Sequence, residues 1–483
     1  MNAAKVEAMS HERTEAMGRE SIWRLLFRFS GPAIVASLIN ASYNFIDAIF
    51  VGMLGTESLA ALAVAHPLMM TYWSIGMGIG VGAASLIARN LGAGKNEEVD
   101  RVAGCSITLL LIVSVVVPAI FLGNLEFLLR LFGADGSVLP LAKSYMVVET
   151  IFIPLNFFLI ILAELVRVEG RPVIASVSMI TSGVMNCIFD PILIWGLGPF
   201  PAFGIAGAAI ATSVGRAIGV TIIILHLVSG RSRYRLRPSD FFPNPKIIAE
   251  IYRVGMAMMV RVNGGSISQI IAARTASFFG VVPLAVVGVI SRVSGFAFQP
   301  CFGLGQGMLP LVGYNFGARK KERVSEVVTK AASAGLLWGI LFFVFGTLFS
   351  TQVMALFDTN TDYLAAAALA FRIHILGLTV VGVQTILSFF FQGIGARAII
   401  SVVVSSCRQI LFLIPCLLIM PERFGLIGLW AAYPVADISS TAFILVLTGM
   451  TFRGLGLPFR LRYNQSRDRL SDSSNPEPGN STS

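Results

Sequence analysis

The chain has 483 residues, 55% of them hydrophobic and only 13% charged, with a formal net charge of +10. Soluble domains carry about 25% charged residues, so this composition excludes a water-soluble enzyme, a nucleic-acid binder and a secreted disulfide scaffold. The charge is also bunched: segments 1–24, 89–101, 229–253, 315–330 and 451–483 hold 37 of the 62 charged side chains. Long apolar stretches between short charged connectors make a polytopic membrane protein.

In chain order, residues 1–24 alternate Glu, Arg and Lys without an apolar stretch, which makes them a cytoplasmic segment and not a cleavable signal peptide. Twelve apolar spans follow, at about 25–51, 59–88, 102–122, 141–166, 173–195, 204–228, 248–279, 283–313, 327–348, 364–391, 397–420 and 424–450. Each is long enough to cross a bilayer as a helix. The expected fold is an all-α polytopic membrane protein of twelve transmembrane helices in two pseudo-symmetric six-helix lobes, 25–228 and 248–450. A basic linker, 229–247, joins them, and a tail, 451–483, ends the chain. The tail from Asn464 onward is rich in Ser, Asn, Asp, Pro and Gly and reads as disordered.

Basic residues orient the chain. The N-terminal segment and every second connector after it hold 26 Lys and Arg, against 2 (Arg130 and Arg423) in the alternate connectors. The positive-inside rule then puts both termini in the cytoplasm. The linker Arg231-Ser-Arg-Tyr-Arg-Leu-Arg suits either an anionic lipid surface or simple retention on that side. The five cysteines all lie in apolar spans without paired spacing and read as small core residues.

A shift of 225 residues aligns the halves. Gly55, Leu59, Ala60, Gly78, Gly80, Gly82, Asn90, Gly92 and Lys95 fall on Gly280, Leu284, Ala285, Gly303, Gly305, Gly307, Asn315, Gly317 and Lys320; Phe203-Gly-Ile-Ala-Gly falls on Phe424-Gly-Leu-Ile-Gly at a shift of 221. Six spans separate equivalent positions, so the repeats are parallel, the arrangement of a transporter whose halves rock about a central cleft. Glycines 76, 78, 80 and 82, mirrored at 303, 305 and 307, are expected to serve close helix crossings within each half.

Acids inside spans are costly, so each is a functional candidate. Asn40, Tyr43, Asn44 and Asp47 share one face of the first span by spacings of three and four, a polar stripe suited to a watery cleft. Asp190 sits near the outer end of the fifth span, one helical turn beyond Asn186 and two beyond Ser182. Topology puts Asp47 and Asp190 at about the same depth. Paired carboxylates there hold a proton, because desolvation and mutual repulsion oppose two charges. With amide and hydroxyl oxygens nearby they equally suit Na+, a hard cation. Helix capping next to Pro191 is the plain alternative for Asp190. Pro32, early in the first span, favours a bend. Glu149, Glu164, Arg261, Arg274, Arg292, Arg372, His66, His374 and Asp437 also fall inside spans, where internal salt bridges account for them as well as function does. No His-Glu-x-x-His, Gly-x-Ser-x-Gly or Walker A pattern is present, so neither an intramembrane hydrolase nor an ATP-driven pump is supported.

Three segments resemble motifs of the multidrug and toxic compound extrusion (MATE) transporters of the MOP flippase superfamily. They are Asn44-Phe-Ile-Asp-Ala-Ile-Phe-Val-Gly-Met-Leu-Gly55; Asn186-Cys-Ile-Phe-Asp-Pro with Gly204-Ile-Ala-Gly-Ala-Ala-Ile-Ala-Thr212; and Gly303-Leu-Gly-Gln-Gly-Met-Leu-Pro-Leu-Val-Gly-Tyr-Asn-Phe-Gly-Ala318. The resemblance covers about residues 20–455. It implies export of cationic or amphipathic drugs against inward H+ or Na+ by rocking alternating access, with no other cofactor. It also implies a monomer in a bacterial inner membrane. Asp47, Asn186, Asp190 and Thr212 would form the first-lobe ion site, as Na+ ligands if Na+ is the coupling ion, with Pro32 as hinge and Tyr43 as cleft wall. The seventh span offers Arg261 and Asn263 where a NorM-like branch has an acid, which favours the DinF-like branch and puts a second-lobe cation site in doubt. The intramembrane arginines keep a lipid-linked oligosaccharide flippase open as the alternative, with a membrane-embedded lipid-modifying enzyme more remote.

Overall fold

In hydrocarbon a backbone must satisfy its own N–H and C=O groups, and every apolar stretch of this chain is helical. The computed structural model describes residues 14–357 and 361–458; the start of the N-terminal segment and the tail from 464 lie outside that range. The long helices are α1 (Ile22–Gly52), α2 (Thr56–Gly92), α3 (Asn96–Leu131), α4 (Val138–Val168), α5 (Pro172–Trp195), α6 (Ile205–Val228), α7 (Pro245–Ser277), α8 (Val281–Gly317), α9 (Lys321–Leu348), α10 (Thr361–Gly393), α11 (398–424) and α12 (426–455), with short helical turns at Pro238–Phe241 and Ser350–Ala355. No strand occurs among the described residues.

Most helices outrun the apolar spans by a polar turn. α3 begins with Glu97 and Glu98 in its first turn, where acids complement the positive helix end. Ten helical stretches are long and apolar enough to cross a membrane, Ala398–Leu455 counting as one. α7 is not among them, because Arg253, Arg261, Asn263, Arg274 and several hydroxyls interrupt it.

One residue separates α11 from α12. Gly425 adopts φ 58°, ψ −142° inside the run that ends at Leu455, a backbone region close to Gly-only. Its counterpart Gly204, before α6, has φ 56°, ψ −134°, so the repeated sequence carries a repeated backbone. Gly425→Ala is expected to cost about 1–3 kcal/mol, measured as a lower melting temperature in detergent. Gly449→Ala, with nothing within 4 Å of the added Cβ, should not lower it.

Helices α1–α6 form one bundle, in which α5 packs on α6, α2 on α4, α1 on α5 and α4 on α6. Helices α7–α12 repeat it, with α10 packed on α8, α9 and the α11–α12 pair. The bundles meet chiefly through α2 on α7, α1 on α8, and α2 on α8, pairings that a twofold axis along the membrane normal interchanges.

The glycine stripes correct the sequence expectation. Residues two apart on a helix point to roughly opposite sides, so each stripe serves two crossings. Gly76 and Gly80 face Phe157, Ile160 and Glu164 of α4, and Gly305 faces Phe389 of α10, all within a half. Gly78 and Gly82 instead face Met259, Gly255 and Ile251 of α7, while Gly303 and Gly307 face Ile34 and Ser30 of α1, across the seam. Small residues there let the backbones of opposite halves approach. Further along, a Cβ on Gly92 would lie 1.8 Å from the Tyr314 carbonyl oxygen, and one on Gly317 2.0 Å from that of Arg89, positions again 225 apart.

Polar contacts reinforce the seam. Ser30 donates to Leu304 O (3.2 Å), Ser85 to Gln392 O (2.5 Å) and Gln306 to Glu164 (3.3 Å). Arg89 pairs with Glu250 at 3.0 Å. Asn263 of α7 donates to Ser74 (3.0 Å) and accepts from Thr71 (3.1 Å) on α2. Asn315 of α8 donates to Met17 O and Ser325 of α9 to Pro458 O, which ties the first and last described segments to the second bundle. The seam is therefore closed at the end where Gly92 and Gly317 meet the opposite half, the end that also carries Met17 and Pro458.

Candidate functional site

Inside the first bundle, α1, α4, α5 and α6 converge on a buried polar cluster. α1 presents Tyr43 and Asp47 one turn apart. The Tyr43 ring rests on Gly183 of α5, where an added Cβ would lie 2.6 Å from it. α5 presents Ser182, Asn186 and Asp190 at four-residue steps on its buried face. α6 adds Thr212 and, one turn later, Arg216.

Asn186 ties the cluster together. Its Nδ2 donates to Asp190 Oδ1 and to Thr212 Oγ1, each at 3.0 Å, and Thr212 donates to Ala208 O. Asp190 is fully buried and Asp47 is 8% exposed, and the two acids interact electrostatically. Asp47 also feels the buried ion pair between Glu149 of α4 and Arg216, 2.6 Å apart. Above Glu149, Tyr72 and Thr150 share a 2.8 Å hydroxyl contact.

Four buried oxygens here have no hydrogen-bond partner: Asp47 Oδ1, Glu149 Oε2, Asn186 Oδ1 and Asp190 Oδ2. Buried acceptors are ordinarily satisfied, so such a concentration marks a place for something electropositive. The cluster holds three carboxylates against one guanidinium. Arg216 answers Glu149, and the charge of Asp47 and Asp190 is left uncompensated. A proton or an oxygen-seeking monovalent cation fits this donor set. No group of three or more His, Cys, Asp or Glu suited to a single metal ion exists among the described residues.

The structure thus brings Asp47, Asn186, Asp190 and Thr212 together with Tyr43. It splits the rest of the expected stripe: Asn44 is exposed and turns back to Asn40, donating to its backbone oxygen (2.7 Å) and side-chain oxygen (3.1 Å), while Asn40 donates weakly to Tyr43 (3.4 Å). Pro32 lies outside the cluster, at the α1–α8 crossing, next to the Ala33 and Ile34 backbone that Gly303 touches; α1 stays helical through it.

Sequence spacing does not single out Glu149 from the other ionisable residues named with it, and Arg216 is not among them. The signal was present: Arg216 follows Thr212 by four residues, and an intramembrane arginine needs a counter-charge. Its partner is 67 residues away, which spacing alone does not reveal.

Comparison with known proteins agrees with the repeat. The MatE family model matches residues 32–192 and 257–418, two copies that together take in two thirds of the chain. The multidrug export protein MepA of Staphylococcus saprophyticus is 25% identical over 449 residues, covering 91% of this chain and 96% of the relative. Among solved structures, a MOP superfamily transporter from Pyrococcus furiosus superposes with a TM-score of 0.86 at 26% identity, covering 91% of this chain and 98% of that one. The outward-facing conformation of a multidrug resistance MATE family transporter gives 0.85 at the same identity and coverage.

Proposed function

The chain belongs to the MatE family, and on that premise we propose that it is a cation-coupled antiporter exporting cationic or amphipathic small molecules in exchange for H+ or Na+. The observation that carries this is the set of orphaned oxygens around Asp47 and Asp190. Two uncompensated carboxylates in a low-dielectric bundle are costly, and a proton or Na+ entering the cluster relieves that cost. Asp47, Asn186, Asp190 and Thr212 form this site in our reading, with Tyr43, Glu149 and Arg216 shaping its field.

The excess of Lys and Arg makes the termini side cytoplasmic, in the inner membrane of a bacterium. The closed seam then faces the cytoplasm, and the state is outward-facing. An ion reaches the first lobe from outside. α1 carries Asp47 at one end and Ser30, Pro32 and Ile34 at the seam, so it links ion occupancy to the crossing with α8. Once the seam parts, a drug enters from the cytoplasm or inner leaflet, and ion and drug alternate. One chain supplies both lobes, so a monomer suffices.

A lipid-linked oligosaccharide flippase remains the second reading, favoured by one observation: Arg261 of α7 makes no ion pair with a carboxylate among the described residues.

Efflux of a fluorescent cationic dye from proteoliposomes, under a pH gradient and a Na+ gradient imposed separately, tests the proposal. Dye movement under one gradient is expected and names the ion. Folded protein that moves no dye under either sinks it and makes lipid-linked sugars the next substrates.

A further inference from the structure

The second lobe repeats the first with its polarity reversed. At the shifts that align the repeats, Glu149, Thr212 and Arg216 correspond to His374, Tyr433 and Asp437. Asp437 is fully buried and accepts from Arg408 of α11, where the first lobe has Gly183. His374 lies against Tyr433, ring centroids 4.4 Å apart. Arg261 projects from α7 toward this cluster and interacts electrostatically with Arg408. This region therefore holds two guanidiniums and one carboxylate, where the first lobe sets three carboxylates against one guanidinium.

Arg261 has neighbours but, among the described residues, no counter-charge. Its Nη2 donates to Thr385 Oγ1 at 3.3 Å, its guanidinium sits 5.5 Å from the Phe298 ring centroid, and its Nη1 is buried without a partner. A membrane-embedded charge without an opposite charge is costly and is usually kept for function. The helix facing it is distorted as well: α11 passes through a π-helical turn at Cys407–Leu413, a feature frequent at functional sites. That turn presents Arg408 and packs on α7, where a Cβ at Gly264 would meet Ile410 at 3.3 Å. Arg261 is only half-buried and the Arg408 side chain is 22% exposed, so both are within reach of a solute.

We propose that the second lobe holds an oxyanion site, in which Arg261 receives a carboxylate or phosphate group of the transported compound while Phe298 supplies an apolar platform beside it. The guanidinium fork matches such a group with two parallel hydrogen bonds, and Arg408, neutralised in part by Asp437, adds to the positive field. The site rests on the transport reading for its ligand. It extends that reading from cations to zwitterions and acids, whose positive end faces the acidic first lobe.

Binding to detergent-purified protein, without any gradient, tests the site. The probes are 2-naphthoate, 2-naphthyl phosphate and the neutral 2-naphthamide, titrated calorimetrically. Wild type is expected to bind at least one oxyanion about tenfold more tightly than the amide, and Arg261→Gln to lose that difference. The tighter oxyanion separates a carboxylate-bearing solute from a lipid-type phosphate. Arg261→Lys, which keeps the charge without the fork, should fall between and serves if the Gln variant does not fold. Equal affinity for oxyanion and amide in wild type, or a difference that survives in Arg261→Gln, overturns the proposal. Because the readout needs no transport, intact binding beside failed dye efflux removes the export reading alone.

Discussion

Asp47→Asn and Asp190→Asn are each expected to abolish gradient-driven dye movement while leaving folded, membrane-inserted protein. An amide neither takes up a proton nor offers Na+ a full charge. Without a group that binds the coupling ion the gradient has nothing to act on, so dye movement should fall to the rate of protein-free vesicles. Folding should survive, because neither acid sits in an ion pair that the change would break, and the Asn oxygen at 190 still accepts from Asn186, now 3.0 Å from Asp190 Oδ1. Glu149→Gln should behave differently. It leaves Arg216 buried and unpaired after losing a 2.6 Å contact, a change that costs about 3–5 kcal/mol. Its first symptom is a loss of monodisperse protein on size exclusion. An Asp47 or Asp190 variant with full dye efflux would remove that carboxylate from coupling.

Replacing Gly92 and Gly317 by Ala together should drive the seam open. The added methyls would sit 1.8 Å and 2.0 Å from carbonyl oxygens of the opposite half, far inside van der Waals contact. Both partners are backbone on long helices, so relief requires the halves to separate. Overpacking of this kind costs about 1–3 kcal/mol per site, which shifts the ratio of closed to open seam by on the order of tenfold or more. Spin labels at Glu97→Cys and Glu322→Cys, both exposed and 225 residues apart, read the change as a population of longer distances. The same distance distribution as in the all-glycine background would show that the seam yields locally and is not the gate.

Much of this was legible in the chain. Twelve apolar stretches became twelve helices because hydrocarbon leaves the backbone no other partner. Gly425 and Gly204 could be paired by alignment before their shared left-handed backbone was visible. Asp47, Asn186 and Asp190 stood out because a polar side chain in an apolar span is conspicuous and the three-and-four spacing names its face, while Thr212 entered only through the family resemblance. The faces themselves were not legible. Asn44, one residue from Tyr43, is turned some 100° away from it on an α-helix, and only the neighbouring helices decide which of the two looks inward.

The sequence by itself therefore determined the membrane class, the span count and the duplication, and marked Asp47 and Asp190 as candidates, all from hydropathy and residues close along the chain. Tertiary structure alone decided which glycines hold the two halves together, that Arg216 answers Glu149, that Arg408 answers Asp437, and that no carboxylate among the described residues answers Arg261. Each of these depends on contacts between helices far apart in the chain, and the distance between two side chains on different helices is set by packing, not by spacing.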